Sequence, residues 1–163
     1  MTKDERDLYR LFVGKNGDYY IQKWEELSLS NSKISWNWAA FFFGLFWLGY
    51  RKMYPHAFGL MIFSLILQYV QKVVNTDPVV VALTNLSISI ILGMFGNYLY
   101  YEYTKSKIQE IQTKFADENT RDLEIVRNGG ESLSTAIAVG LMYIIASSMI
   151  EYGLEDKNET TGR

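Results

Sequence analysis

Uncharged and charged stretches alternate along this chain in blocks long enough to be read as separate environments. Residues 34–50, 53–71, 78–101 and 132–150 contain no Asp, Glu, Lys or Arg, in runs of 17, 19, 24 and 19 residues. Between Glu26 and Glu102 the only acidic residue is Asp77. Crossing a hydrocarbon core takes about 20 mainly apolar residues, within a range of about 17–25. The pattern therefore predicts spanning helices near 55–74, 78–101 and 132–150. The run at 36–50 is different, because its strongly apolar centre, Trp38 to Leu48, is 11 residues long with aromatics crowding both ends. An apolar run of about 10–14 residues fits a re-entrant or interfacial segment better than a span, and Gly44 and Gly49 allow a bend or close helix contact there.

Local signals sharpen these elements. Asp18 predicts an N-cap for a helix carrying Tyr20, Trp24 and Leu27 at i, i+4 and i+7, a stripe that docks either on the rest of the chain or on a partner. Tyr54-Pro55 opens the second apolar helix, and Asp77-Pro78 supplies an N-cap and first helical residue for the third. The short joint at 74–77 predicts a tight antiparallel hairpin with Gln68 near Asn85 and Ser64 near Ser89. Asn37 predicts a cap for the aromatic segment. Residues 102–131 read as a helical linker with a break near Asn119-Thr120. Its apolar positions are Ile108, Ile111 and Phe115, a second candidate docking stripe, followed by Leu123 and Val126. Glu151 to Arg163 reads as a flexible polar tail.

Charge distribution adds an orientation. If the aromatic segment enters and returns, residues 1–33, 51–52 and 102–131 share one side with thirteen Lys and Arg, against three elsewhere; if it crosses, the split is nine to seven. The positive-inside bias favours the first arrangement, with a cytoplasmic N-terminus. The first 33 residues hold six positive and six negative charges without an apolar core, so no cleaved signal peptide is expected there.

Composition mostly excludes. The chain has no Cys and one His, which removes disulfides, thiolate chemistry and Cys- or multi-His metal sites. A net charge of -2 gives no field for gathering nucleic acid. No phosphate-binding loop, nucleophile elbow or HExxH helix is present, and no cofactor is expected. Gln68, Gln71, Lys72 and Asn85 form a candidate polar intramembrane face, either helix-to-helix packing or a hydrated path. Asn85, Ser89, Gly93 and Asn97, and Ser132, Ala136 and Gly140, repeat every four residues and suit close helix contacts. Trp36, Trp38, Arg51 and Lys52 are candidate lipid-headgroup contacts.

Three stretches carry a family resemblance. Trp36-Asn37-Trp38-Ala39-Ala40-Phe41-Phe42-Phe43-Gly44, Phe46-Trp47 and Tyr50-Arg51-Lys52-Met53-Tyr54 resemble the signature of the DUF2628 domain family, small bacterial membrane proteins of unassigned activity. Phe12-Val13-Gly14-Lys15-Asn16 with Tyr19-Tyr20 and Lys23-Trp24 is similar to its leading motif, and Val126-Arg127-Asn128-Gly129-Gly130-Glu131-Ser132 to the segment before its last apolar helix. Leu45 departs from a proline that relatives often carry, and this chain lacks the cysteines for the zinc ribbon that some of them have. The resemblance implies the bacterial inner membrane and carries over no catalytic residue. The expectation is an all-α integral membrane protein of helical hairpin plus further span, with a re-entrant aromatic segment and cytoplasmic helices. It would act non-enzymatically as an interaction or accessory protein with a protein partner or as a homo-oligomer, for example in immunity to a membrane-active toxin. The alternative is an oligomeric transporter or channel subunit using the polar face.

Overall fold

The computed structural model describes the backbone of residues 1–161 and the side chains of residues 1–153. Among these residues every regular element is helical. The helices are α1 (Lys3–Val13), α2 (Gly17–Ser30), α3 (Trp38–Tyr50), α4 (Tyr54–Val73), α5 (Pro78–Lys114), α6 (Glu118–Asn128) and α7 (Leu133–Thr161). Two of them, α5 and the stretch Leu133–Gly153 of α7, are long and apolar enough to cross a membrane. α4 has comparable length at 20 residues, with Gln68, Gln71 and Lys72 in its last turns.

Several ends follow from local chemistry. Asn37 Oδ1 accepts from Ala40 N at 2.9 Å to start α3, and Asp77 Oδ1 accepts from Val79 N at 2.8 Å ahead of Pro78 to start α5. Asp117 caps α6 through Thr120 N at 2.8 Å, so the break after α5 lies at Phe115–Asp117 rather than at Asn119-Thr120. α2 begins two residues earlier than Asp18 predicts, with Asn16 in the left-handed region at its N-cap. Asp18 instead holds Arg10 Nε at 2.8 Å. The tail continues α7 as far as Thr161, the side chains beyond Gly153 lying outside the described residues.

α3 is bent rather than straight. Gly44 has φ 41° and ψ -106°, which breaks the helix into two arms; a residue with a Cβ is strained at that positive φ. Both ends of α3 are tied to the stretch Gly93–Tyr103 of α5. At its start, Asn37 N donates to Gly93 O at 2.7 Å and Asn37 Nδ2 to Asn97 Oδ1 at 2.9 Å. Past its end, the Tyr103 hydroxyl donates to Lys52 O at 2.8 Å. Asn97 and Tyr103 are six residues apart, about 9 Å of helix.

This bent helix is the hub, packing on α4, α5 and α7. The close approach uses small residues on its neighbours. A Cβ added at Gly96 would sit 2.7 Å from Ala40 Cβ, and one at Gly140 would run into the Phe46 ring. Of the four-residue repeats, Gly93 and Asn97 on α5 and Ala136 and Gly140 on α7 meet α3, whereas Asn85 is exposed. The tight α4–α5 hairpin does not form. Past the connecting turn, α4 packs on α3 and α7 while α5 packs on α3, because the arms of α3 hold the two apart. A cavity of about 440 Å³ between them is lined by Leu48, His56, Leu60, Phe63, Leu92 and Leu99. Gln68 therefore reaches Ser147 O at 3.5 Å rather than Asn85.

Candidate functional site

Arg51 ends α3 and is only 3% exposed. Its Nη1 donates to Val13 O at 3.3 Å and Lys15 O at 3.4 Å, and faces Glu131 Oε2 at 3.5 Å. The guanidinium carbon lies 4.7 Å from the Tyr20 ring centre, 5.4 Å from Tyr100 and 5.5 Å from Tyr50. Its Nε is buried and has no hydrogen-bond partner. A buried charge must be paired or solvated by dipoles, and here carbonyls, a carboxylate and aromatic faces come from four different parts of the chain. The planar guanidinium suits this better than an ammonium, since it stacks on rings while its edges donate.

The aromatic floor beneath Arg51 explains the docking of α2. Tyr20 packs edge-on to Tyr100 with centroids 4.9 Å apart, and Trp24 meets Tyr100 at 5.6 Å and Tyr101 at 5.5 Å. Trp24 Nε1 donates to Asn97 O at 2.9 Å and Trp47 Nε1 to the Tyr20 hydroxyl at 3.3 Å. Asn97 is fully buried and its Nδ2 reaches Ser35 Oγ at 3.0 Å and Trp36 O at 3.2 Å. Burial pushes the Tyr9 phenol up, with Tyr101 adding to the effect.

A groove of about 880 Å³ opens beside this cluster. Its polar end carries Asn16, Tyr19, Tyr20, Tyr50 and Arg51, and its apolar walls carry Trp38, Phe43, Phe46, Leu133 and Ile137. The volume is within the range of ligand-sized clefts, about 300–1,000 Å³.

The sequence-predicted residues fall into three groups. Tyr20, Trp24 and Leu27 are buried against the rest of the chain, as are Ile108 and Ile111, with Phe115 partly buried beside them. Both stripes are used inside the molecule and are not free for a partner; on α6 it is Ile125 that turns inward, leaving Leu123 and Val126 exposed. Of the headgroup candidates, Trp38 is exposed, Lys52 Nζ donates to Arg127 O at 3.2 Å, and Arg51 is turned inward. Trp36 packs edge-on to Trp38 and at a tilt against Phe41. The polar face is divided. Gln68 and Lys72 are on the side of α7, Lys72 Nζ lying 3.8 Å from Glu151 Oε1, whereas Asn85 is exposed on α5, away from them. The burial of Arg51 escaped sequence reasoning, although the three resembling stretches all supply its surroundings.

A family model described as a protein of unknown function (DUF2628) matches residues 7–105. The chain belongs to this family. The DUF2628 match contains Val13, Tyr20, Asn37, Arg51, Asn97 and Tyr100, so most of the Arg51 cluster lies within it, while Glu131 is beyond its end. No curated protein and no solved structure matches this DUF2628 chain.

Proposed function

We propose that this chain is a non-enzymatic integral protein of the bacterial inner membrane, acting as an interaction or accessory subunit. In this reading α4, the first two-thirds of α5 and the apolar part of α7 cross the bilayer. α3 dips into the cytoplasmic leaflet and returns, and α1, α2, α6 and the charged end of α5 stand in the cytoplasm. The observation that carries it is a continuous girdle of uncovered apolar side chains on α3, α4, α5 and α7. Phe42 is 67% exposed, Val79 64%, Ile66 59% and Ile145 60%. Water-soluble monomers rarely expose apolar patches beyond a few hundred Å², whereas lipid solvates them.

The interaction role draws on Asn85. Thr84 and Ser87 satisfy their hydroxyls on Val80 O and Leu83 O within α5, but the exposed Asn85 amide has no such bond. An amide facing lipid is costly unless another chain meets it. The transporter reading loses its polar path, because Gln68 and Lys72 serve the α4–α7 contact and Asn85 lies elsewhere.

Single cysteines placed in this cysteine-free chain test the topology. An impermeant thiol reagent applied to intact cells should label position 75 and spare positions 33 and 118; labelling of 33 together with 75 would overturn the placement. A photo-crosslinker at position 85 should capture protein in native membranes, and capture of lipid alone would count against the interaction role. If Gln68→Leu abolished a solute flux in proteoliposomes, the transport reading would replace it.

A further inference from the structure

Arg51 carries more donor capacity than the chain uses. Nη1 serves three oxygens, each at 3.3–3.5 Å, near the outer limit of a hydrogen bond. Nε is buried without a hydrogen-bond partner, as is the hydroxyl of Tyr100, whose ring lies 5.4 Å from the guanidinium carbon. Buried donors in native proteins nearly always have a partner, so an orphan of this kind calls for a ligand or solvent. The Tyr20 hydroxyl, 3% exposed as a residue, accepts from Trp47 Nε1 and keeps its own proton to give. Both residues line the polar end of the 880 Å³ groove.

The rest of the groove defines the second half of the ligand. Phe43, Phe46, Leu133 and Ile137 form its walls and belong to the uncovered apolar surface of α3 and α7, being 62%, 43%, 66% and 49% exposed. An occupant thus needs an anionic oxygen for the Arg51 guanidinium and the Tyr20 hydroxyl, and a hydrocarbon part continuous with the girdle. We propose that the groove holds one anionic phospholipid, its phosphate against the Arg51 guanidinium and the Tyr20 hydroxyl and an acyl chain along Phe43, Phe46 and Ile137. The assignment rests on the membrane reading above, which places the groove at the lipid–water boundary where headgroups lie.

Native mass spectrometry of the full chain, released from nanodiscs containing phosphatidylglycerol and phosphatidylcholine, tests the proposal. The wild type should retain one phosphatidylglycerol in preference to phosphatidylcholine. Tyr20→Phe, which removes one hydrogen bond to a charged group, should weaken retention by about tenfold or more. Ile137→Trp fills the acyl wall without touching Arg51 and should displace the lipid. Arg51→Lys keeps the charge, loses the guanidinium and should lose the preference, and the first two variants decide the matter should it fail to fold. Equal retention of the two lipids, a bound neutral lipid or peptide, or unchanged retention in Ile137→Trp overturns the assignment. A chain that inserts into nanodiscs but shows no preference sinks this inference alone; a chain that remains soluble without lipid or detergent sinks the membrane reading as well.

Discussion

The two ends of this molecule are built from similarly apolar residues and pack them in opposite ways. Toward the charged end of α5, Tyr9, Phe12, Tyr20, Trp24, Tyr100, Ile108, Ile111 and Ile125 are buried in one core. Toward the other end, α4 buries only Ala57 and α5 buries nothing before Gly93. Water at the first end drives aromatic residues together. At the second, in the membrane reading proposed above, lipid tails are as apolar as the side chains, and helices associate through small residues and a few polar bonds. Gly140 under Phe46 and Gln68 on Ser147 O are contacts of that second kind. The same residue type thus carries different energies depending on which end it occupies.

The comparison can be broken most strongly at Trp24. Trp24→Ala should cost about 3–5 kcal/mol of the stability of the water-facing core, read by denaturant unfolding in detergent with near-UV circular dichroism. Ile66→Ala, at the exposed end, should change it by no more than about 0.5 kcal/mol. Equal losses would mean that one solvent surrounds both ends. Ile66→Arg reverses the weighting, since a charge near the centre of a span costs about 2.5–3.5 kcal/mol in insertion. A glycosylation-tag insertion assay should show that loss, and full insertion would remove α4 from the bilayer.

Asn37 lies between the two regimes. Asn37→Ala removes the α3 cap and the partner of Asn97 Oδ1, and should cost about 1–3 kcal/mol, visible as faster limited proteolysis at the α2–α3 joint. The smallest effect is expected at Glu110. Hydrogen bonds from Lys107 and Lys114 hold its carboxyl down at about 2. Because the folded value is depressed, the stabilisation is fully present above about 4.5 and is lost as pH falls toward about 2. Glu110→Gln should flatten that small acid dependence in a thermal-melt series.

The features legible in the sequence are those decided within a few residues. Asn37, Asp77 and Pro78 cap or start their helices because a side chain or a ring acts on the next turn, and Gly44 bends α3 because only its own backbone is involved. The stripes 20/24/27 and 108/111 announce that something covers them, but not what: the cover is α1 with α5 in one case and α1 with α6 in the other. Loop length suggested α4 against α5, yet the wedge of α3, some thirty residues before the turn, decides the pairing. Arg51 reads as an ordinary basic flank until Val13, Lys15, Tyr20, Tyr100 and Glu131 are brought round it. No local pattern encodes that convergence.

α5 runs unbroken for 37 residues, about 55 Å of helix, and joins the two ends as a single lever. Asn97, clamped by the chain at Ser35–Asn37, is its fulcrum. If α5 crosses the bilayer as proposed, a change in bilayer thickness tilts it, and a tilt of about 5° would swing Ile111 by about 2 Å at roughly 21 Å from the fulcrum. The far arm would thereby convert strain in the lipid into a displacement beneath α1 and α6.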